Sequence, residues 1–285
     1  MNREIRNKVF DIGFRIFGIF STFLGVILIA IFISSIVQAG FSKIDWNFLT
    51  GLPSRFADHA GILTAWTGSL WILALSAIIG IPVGVGAAIF FEEYAPKNSL
   101  TRILEINLTN LAGVPSVIYG ILGLELFVRS FKMGSSLLAG ACTLSLLILP
   151  IVIVATREAL RAVPQSIRQA SFSMGATKWQ TIWHQILPAS AGGIATGVIL
   201  ALSRAVGEAA PVIVIGALAY VPFVAESPLD DFTVLPIQIF NWVTRPDPEF
   251  IVNASAGIIV LLSITFLLNG IAVYLRYRWQ KKMKW

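Results

Sequence analysis

Charge is scarce in this sequence. Asp, Glu, Lys and Arg make up 13% of its 285 residues, against roughly 25% in soluble domains. A water-soluble domain of this length would have too little charge to coat its surface, and a disordered chain would be polar. Cysteine occurs once, as Cys142, which excludes an internal disulfide framework and a cysteine-built metal site. Two histidines, His59 and His184, give a His-based metal centre poor support. No Gly-x4-Gly-Lys-Ser/Thr stretch is present, so the chain lacks the usual cradle for ATP phosphates. Internal repeats and low-complexity tracts are also missing. What is there is apolar: 56% of residues are hydrophobic and the mean hydropathy is +0.80. That is the composition of an all-α polytopic membrane protein.

A bilayer core of about 30 Å needs roughly 20 apolar residues in helix. Six stretches qualify: Phe17 to Val37, Thr67 to Phe91, Asn107 to Val128, Ser135 to Ala155, Ala189 to Val221 and Ile251 to Val273. The first has a basic flank and a cleavage-like Val37-Gln38-Ala39. Its run is nevertheless longer than the roughly 7–15 residues of a signal peptide's apolar region, so it reads as a retained span. The fifth stretch would extend about 50 Å as straight helix. It is too short for two spans and a turn, leaving an overhang, a kink near Pro211 or a partly broken helix.

The positions of the cations set the expected orientation. Six spans put both termini on one side. That side holds Arg3, Arg6, Lys8, Arg15, Lys97, Arg102, Arg157, Arg161, Arg168, Lys178, Arg276, Arg278, Lys281, Lys282 and Lys284. The other side holds Lys43, Arg55, Arg129, Lys132 and Arg245. Cytoplasmic loops are enriched in Lys and Arg, so both termini are expected in the cytoplasm. The net charge of +6 is thereby a topology signal, and no nucleic-acid partner is needed to explain it. Trp46, Trp66, Trp71, Trp242 and Trp279 fall near span ends, where amphipathic rings settle at the headgroups.

Small residues and prolines gather in the second and third spans: Gly80, Pro82, Gly84 and Gly86, then Gly113, Pro115, Gly120 and Gly123. Close helix packing accounts for them, and a pathway wall is the alternative. The exception among apolar positions is Arg204 with Glu208, four residues apart and therefore expected on one helix face. Either charge alone in mid-membrane costs at least about 2.5 kcal/mol on insertion scales. One reading is an internal ion pair that locks packing. The other is a polar element of a solute pathway, because the planar Arg fork matches an oxyanion such as phosphate.

The loop after the fourth span, residues 157–188, is longer than a connector. Pro164 suits a helix start, Gly175 a helix stop, and Thr177 with Gln180 a capping box opening a second short helix that Pro188 limits. Trp179, Ile182, Trp183 and Ile186 share a stripe at helical spacing. Such a stripe fits an amphipathic helix resting on lipid or a docking element for a cytoplasmic partner.

Gln169-Ala170-Ser171, Gly175 and Leu187-Pro188 keep the spacing of the EAA loop, whose pattern is Glu-Ala-Ala, Gly after three residues, then Ile and Leu-Pro. The chain departs at Gln169, Ser171 and Gln185. The loop resembles that of binding-protein-dependent ABC-importer permeases. Phe91-Glu92-Glu93-Tyr94-Ala95-Pro96, residues 110–116, residues 156–160, Arg204 to Pro211 and Leu235 to Trp242 are similar to segments of phosphate-importer permeases of the PstA family. Together they cover roughly residues 67 to 275.

The resemblance implies a type I (MetI-like) permease core at 67–275, preceded by a first span and outer loop at 1–66 and followed by a basic tail at 276–285. It implies a non-catalytic subunit of the bacterial or archaeal cytoplasmic membrane that binds no cofactor itself. ATP-Mg would be used by a PstB-like ATPase dimer docked at the EAA loop. A PstC-like permease would complete a heterodimer, and a PstS-like protein would deliver phosphate. Other readings are a permease for another oxyanion, an ATPase-independent secondary transporter, and a membrane scaffold. An inverted repeat or further intramembrane carboxylates would favour the secondary transporter. A scaffold leaves the cost of Arg204 and Glu208 unexplained.

Overall fold

The computed structural model describes residues 3–217 and 220–282. Residues 218–219 of the fifth apolar stretch and Lys284 lie outside the described residues, as do the side chains of Arg3, Arg6, Lys8, Trp279 and Lys282. Among the described residues there is no strand, only an isolated bridge between Ser136 and Asp231. The helices are α1 (Arg3–Gly40), α2 (Trp46–Thr50), α3 (Leu63–Tyr94), α4 (Ser99–Leu111), α5 (Ser116–Ser130), α6 (Leu137–Arg161), α7 (Gln165–Ser173), α8 (Lys178–Val206), α9 (Ala210–Val214), α10 (Leu235–Thr244) and α11 (Glu249–Lys282). Among the described residues five helices, within or equal to α1, α3, α6, α8 and α11, are long and apolar enough to cross a membrane, and the pair α4–α5 brings the crossings to as many as six.

Two expected spans are broken. The third, read as one span from Asn107 to Val128, bends by 106° between α4 and α5. Pro115 has no N–H to continue a helix and disfavours helical backbone at Val114 before it. The fifth settles on the broken-helix alternative: α8 ends at Val206, Gly207 caps it, and α9 restarts at Ala210 with Pro211 in its first turn.

The most buried span, α6, packs against α3, α5 and α8. Ser136 caps its start by accepting from the Ala139 N–H. Ser76 donates to the Ala141 carbonyl and Ser145 to the Ser76 carbonyl, both at 3.2 Å, stitching α3 to α6. A Cβ on Gly120 would sit 2.8 Å from the Cα of Pro211, and one on Gly123 2.7 Å from Cγ2 of Thr143. Gly86 has nothing within 4 Å. Gly123→Val is therefore expected to destabilise the protein by about 1–3 kcal/mol, whereas Gly86→Ala leaves its thermal unfolding midpoint unchanged or slightly raised.

Between residues 222 and 250 the chain folds back into α10. The Leu235 N–H donates to Ser69 Oγ of α3 at 2.8 Å, and Trp242 is fully buried with its ring 5.8 Å from that of Phe48. Trp242 is thus an interior anchor rather than a headgroup ring. Trp46 is exposed as expected. Of α1, Ile36 is buried and Gly40 lies against Ser255 and Ala256 of α11, while the apolar residues from Phe10 to Phe32 are exposed.

Candidate functional site

Arg204 occupies the last turn of α8, where a cation complements the helix dipole. Glu208 lies beyond the helix end, in the break before α9. The two do not share a continuous helix face, as their spacing suggested, yet the carboxylate curls back to place Oε1 3.3 Å from Arg204 Nε. Arg204 Nη1 also donates, at a long 3.5 Å, to the carbonyl of Ala112, the first residue after α4. The break in the third span and the break in the fifth therefore meet at Arg204. Tyr119 of α5 ties the same region together by donating to the Leu111 carbonyl at 2.8 Å. Interrupted helix at membrane depth is tolerated where its backbone is buried in protein or lines a watery cavity. Arg204 keeps 36% of its side-chain surface exposed, so the guanidinium is held without being sealed off.

The loop residues form a second constellation. Gln169 and Ala170 are exposed on α7, and Ser171 shares a 2.9 Å hydrogen bond with Thr181. Gly175 adopts φ +80°, a conformation that favours glycine, and turns the chain. The Thr177–Gln180 capping box forms as expected. The helix it opens does not stop at Pro188. A π turn over Ile182–Ile186 passes into the span, so Leu187 and Pro188 lie within α8. Proline removes the donor for the carbonyl four residues earlier, and a wider turn accommodates that loss. The expected apolar stripe divides. Ile182 and Ile186 are buried with Leu160 and Val163, with Leu187 packed beside them. Trp179 and Trp183 point outward and stack at 5.7 Å.

Sequence reasoning missed what holds this loop. Arg168 is buried. Its Nη2 lies 2.9 Å from Glu93 Oε1, and it donates to the carbonyls of Leu160 and Val163. Lys178 donates to the Glu93 carbonyl and sits over the Tyr94 ring at 4.7 Å. Arg157, also buried, pairs with Glu105 at 2.7 Å and Glu92 at 3.6 Å, and Arg161 pairs with Glu92 at 2.8 Å. Four of the fifteen cations expected on the cytoplasmic side thus hold the end of α3, Arg157 and Arg161 from the last turns of α6 and Arg168 and Lys178 from the loop. The adjacent carboxylates Glu92 and Glu93 were the only hint, and they stand more than sixty residues earlier in the sequence.

Residues 80–281 match the family described as binding-protein-dependent transport system inner membrane component. The chain belongs to that family. It is the permease subunit of an ABC importer in the bacterial membrane, from a family of generally non-catalytic subunits. The permease is 32% identical to the probable ABC transporter permease protein YqgI of Bacillus subtilis, over 93% of this chain and 94% of that one. It is also 32% identical to the phosphate transport system permease protein PstA of Mycobacterium leprae, over 87% and 81%. The resemblance to PstA permeases is borne out across most of the permease. Its fold is similar to that of a chain of the MetNI methionine ABC transporter, solved in inward facing conformations, with a TM-score of 0.61 at 17% identity over 74% of this chain and 94% of that one.

Proposed function

We propose that this permease forms half of the translocation pathway of an ATP-driven importer of inorganic phosphate. One observation carries the reading: the two helix breaks converge on Arg204. An anion crossing there meets a planar fork of donors beside carbonyls released from helix. Glu208 orients the fork and tempers its charge, so that phosphate binds and leaves. The PstA relatives support phosphate among the oxyanions.

The basic residues support cytoplasmic termini and a basic tail at 276–285, and the PstA-like segments support a core at 67–275. On this reading α7 and the start of α8 dock a PstB-like ATPase, with Gln169, Ala170, Ser171 and Gly175 at the contact. The exposed Phe172, Met174, Trp179 and Trp183 supply its apolar surface, and Leu187 and Pro188 continue the movement into the span. ATP-Mg stays with the ATPase. A PstC-like permease supplies the other half of the pathway, and a PstS-like protein loads it from outside. In the segment between residues 222 and 250, Asp230 accepts the N–H groups of Glu226 and Ser227, and Asp247 that of Glu249, so both carboxylates serve its turns.

The test is ATP-dependent uptake by the reconstituted complex. Phosphate should accumulate only with ATP and loaded binding protein, and excess sulfate or molybdate should not compete. Transport of sulfate in preference to phosphate assigns the permease to another oxyanion, and full uptake without ATP sinks the ABC reading.

A further inference from the structure

The end of the molecule opposite the coupling loop carries a second arrangement suited to an anion. The Ser203–Asn269 and Thr196–Arg276 contacts run α11 antiparallel to α8. The start of α11 therefore lies at the far end from the loop. Beside it a pocket of about 520 Å³ is lined by Pro53, Ser54, Arg55, Phe56, Tyr220 and Arg245. It gathers parts of the chain that are almost two hundred residues apart.

The two arginines are held in related ways. The Arg245 guanidinium lies 4.3 Å above the Phe250 ring, its Nε donates to Asn241 Oδ1 at 3.1 Å, and its Nη1 donates to the Ser54 carbonyl at 3.3 Å. The Arg55 guanidinium lies 4.7 Å above the Phe56 ring. Ring stacking covers the faces of a guanidinium and leaves in-plane N–H edges for an oxyanion. Among the described residues neither arginine forms an ion pair. The nearby Asp247 carboxylate is turned toward the Glu249 N–H. Two arginines that form no ion pair among the described residues line one concavity together with Tyr220.

We propose that this pocket is an oxyanion site at the outer mouth of the permease, which holds inorganic phosphate before it moves toward Arg204. The inference rests on the phosphate reading above and adds a site to it. Arg245 supplies the fixed fork, tied by Asn241 and Ser54. Arg55, exposed on its own turn, closes over the anion. The site is expected to weaken as salt rises, because exposed charges are screened within about 10 Å at 0.1 M.

The experiment uses the whole complex with Arg204→Gln in this chain, so that pathway binding does not mask the outer site. Equilibrium dialysis of radiolabelled inorganic phosphate, without binding protein, should show saturable binding. Adding Arg55→Gln should weaken it about 10-fold and Arg245→Gln at least as much, while Lys132→Gln, at another outer cation, leaves it unchanged. Arg245 also ties two segments together, so Arg55→Gln, at an exposed side chain, is the variant that decides. The absence of saturable binding overturns the proposal, as does binding that ignores Arg55. A third overturning result is that Arg55→Gln changes only the concentration of binding protein needed for half-maximal ATPase stimulation, which would give the arginines to a carboxylate on that protein. These outcomes leave the phosphate reading standing when ATP-driven uptake by the otherwise unaltered complex remains selective for phosphate.

Discussion

Arg204→Gln is expected to lower ATP-driven phosphate uptake about 100-fold while the permease still inserts and assembles with its ATPase. Two charge-assisted hydrogen bonds to a phosphate, each worth about 1.5 kcal/mol, sum to about 3 kcal/mol, or two decades in rate. Loss of the side chain should leave the fold intact, because Arg204 is partly exposed and its long contact to Ala112 is weak. Arg204→Lys keeps the charge but loses the planar fork, and its uptake should fall between the two. Flux through the reconstituted complex, measured beside its ATPase activity, checks this. Normal uptake by Arg204→Gln removes Arg204 from the pathway and leaves it as a packing ion pair with Glu208.

The second large effect is expected at Glu93. Its ion pair with Arg168 is about 10% exposed on both sides. Removing one partner of a buried pair typically costs about 3–5 kcal/mol, because the remaining charge is left uncompensated. Glu93→Ala should therefore strand Arg168 and loosen the joint between α3 and α7. Its thermal midpoint should fall, and more ATP should be hydrolysed for each phosphate imported. Glu93→Gln retains a hydrogen-bond acceptor but not the charge, so it separates the two consequences: part of the stability returns, while the coupling ratio stays poor if the charge pair transmits force. Unchanged coupling in Glu93→Gln together with partly restored stability would reduce the clamp to a structural brace.

Which parts of this design were legible follows from the range of the interactions. Gly175, Thr177 and Gln180 announced the turn and the capping box correctly, because a cap joins residues three positions apart. Pro188 misled, since a proline reads as a helix limit until a π turn is seen to absorb it. Trp242 looked like a headgroup ring by its place beside a span, and only the return of α10 against Phe48 shows it buried. Trp179 and Ile182 looked alike on one stripe, yet α6 covers the isoleucine and leaves the tryptophan outside.

The sequence by itself determined that this chain belongs in a bilayer, where its long apolar runs lie and where the turn and capping box at Gly175 and Thr177 form. Those properties depend on apolar run length and cap spacing, which are local. Tertiary structure decided where the few charges go. Glu92 and Glu93 meet Arg157, Arg161 and Arg168 across more than sixty residues. Ala112 meets Arg204 across a similar gulf, and Arg55 comes to share a pocket with Arg245. A charge in or beside a membrane must find a partner or water. Which partner it finds is set by helix packing and by breaks at Pro115 and Gly207, whose consequences appear only once the helices are assembled.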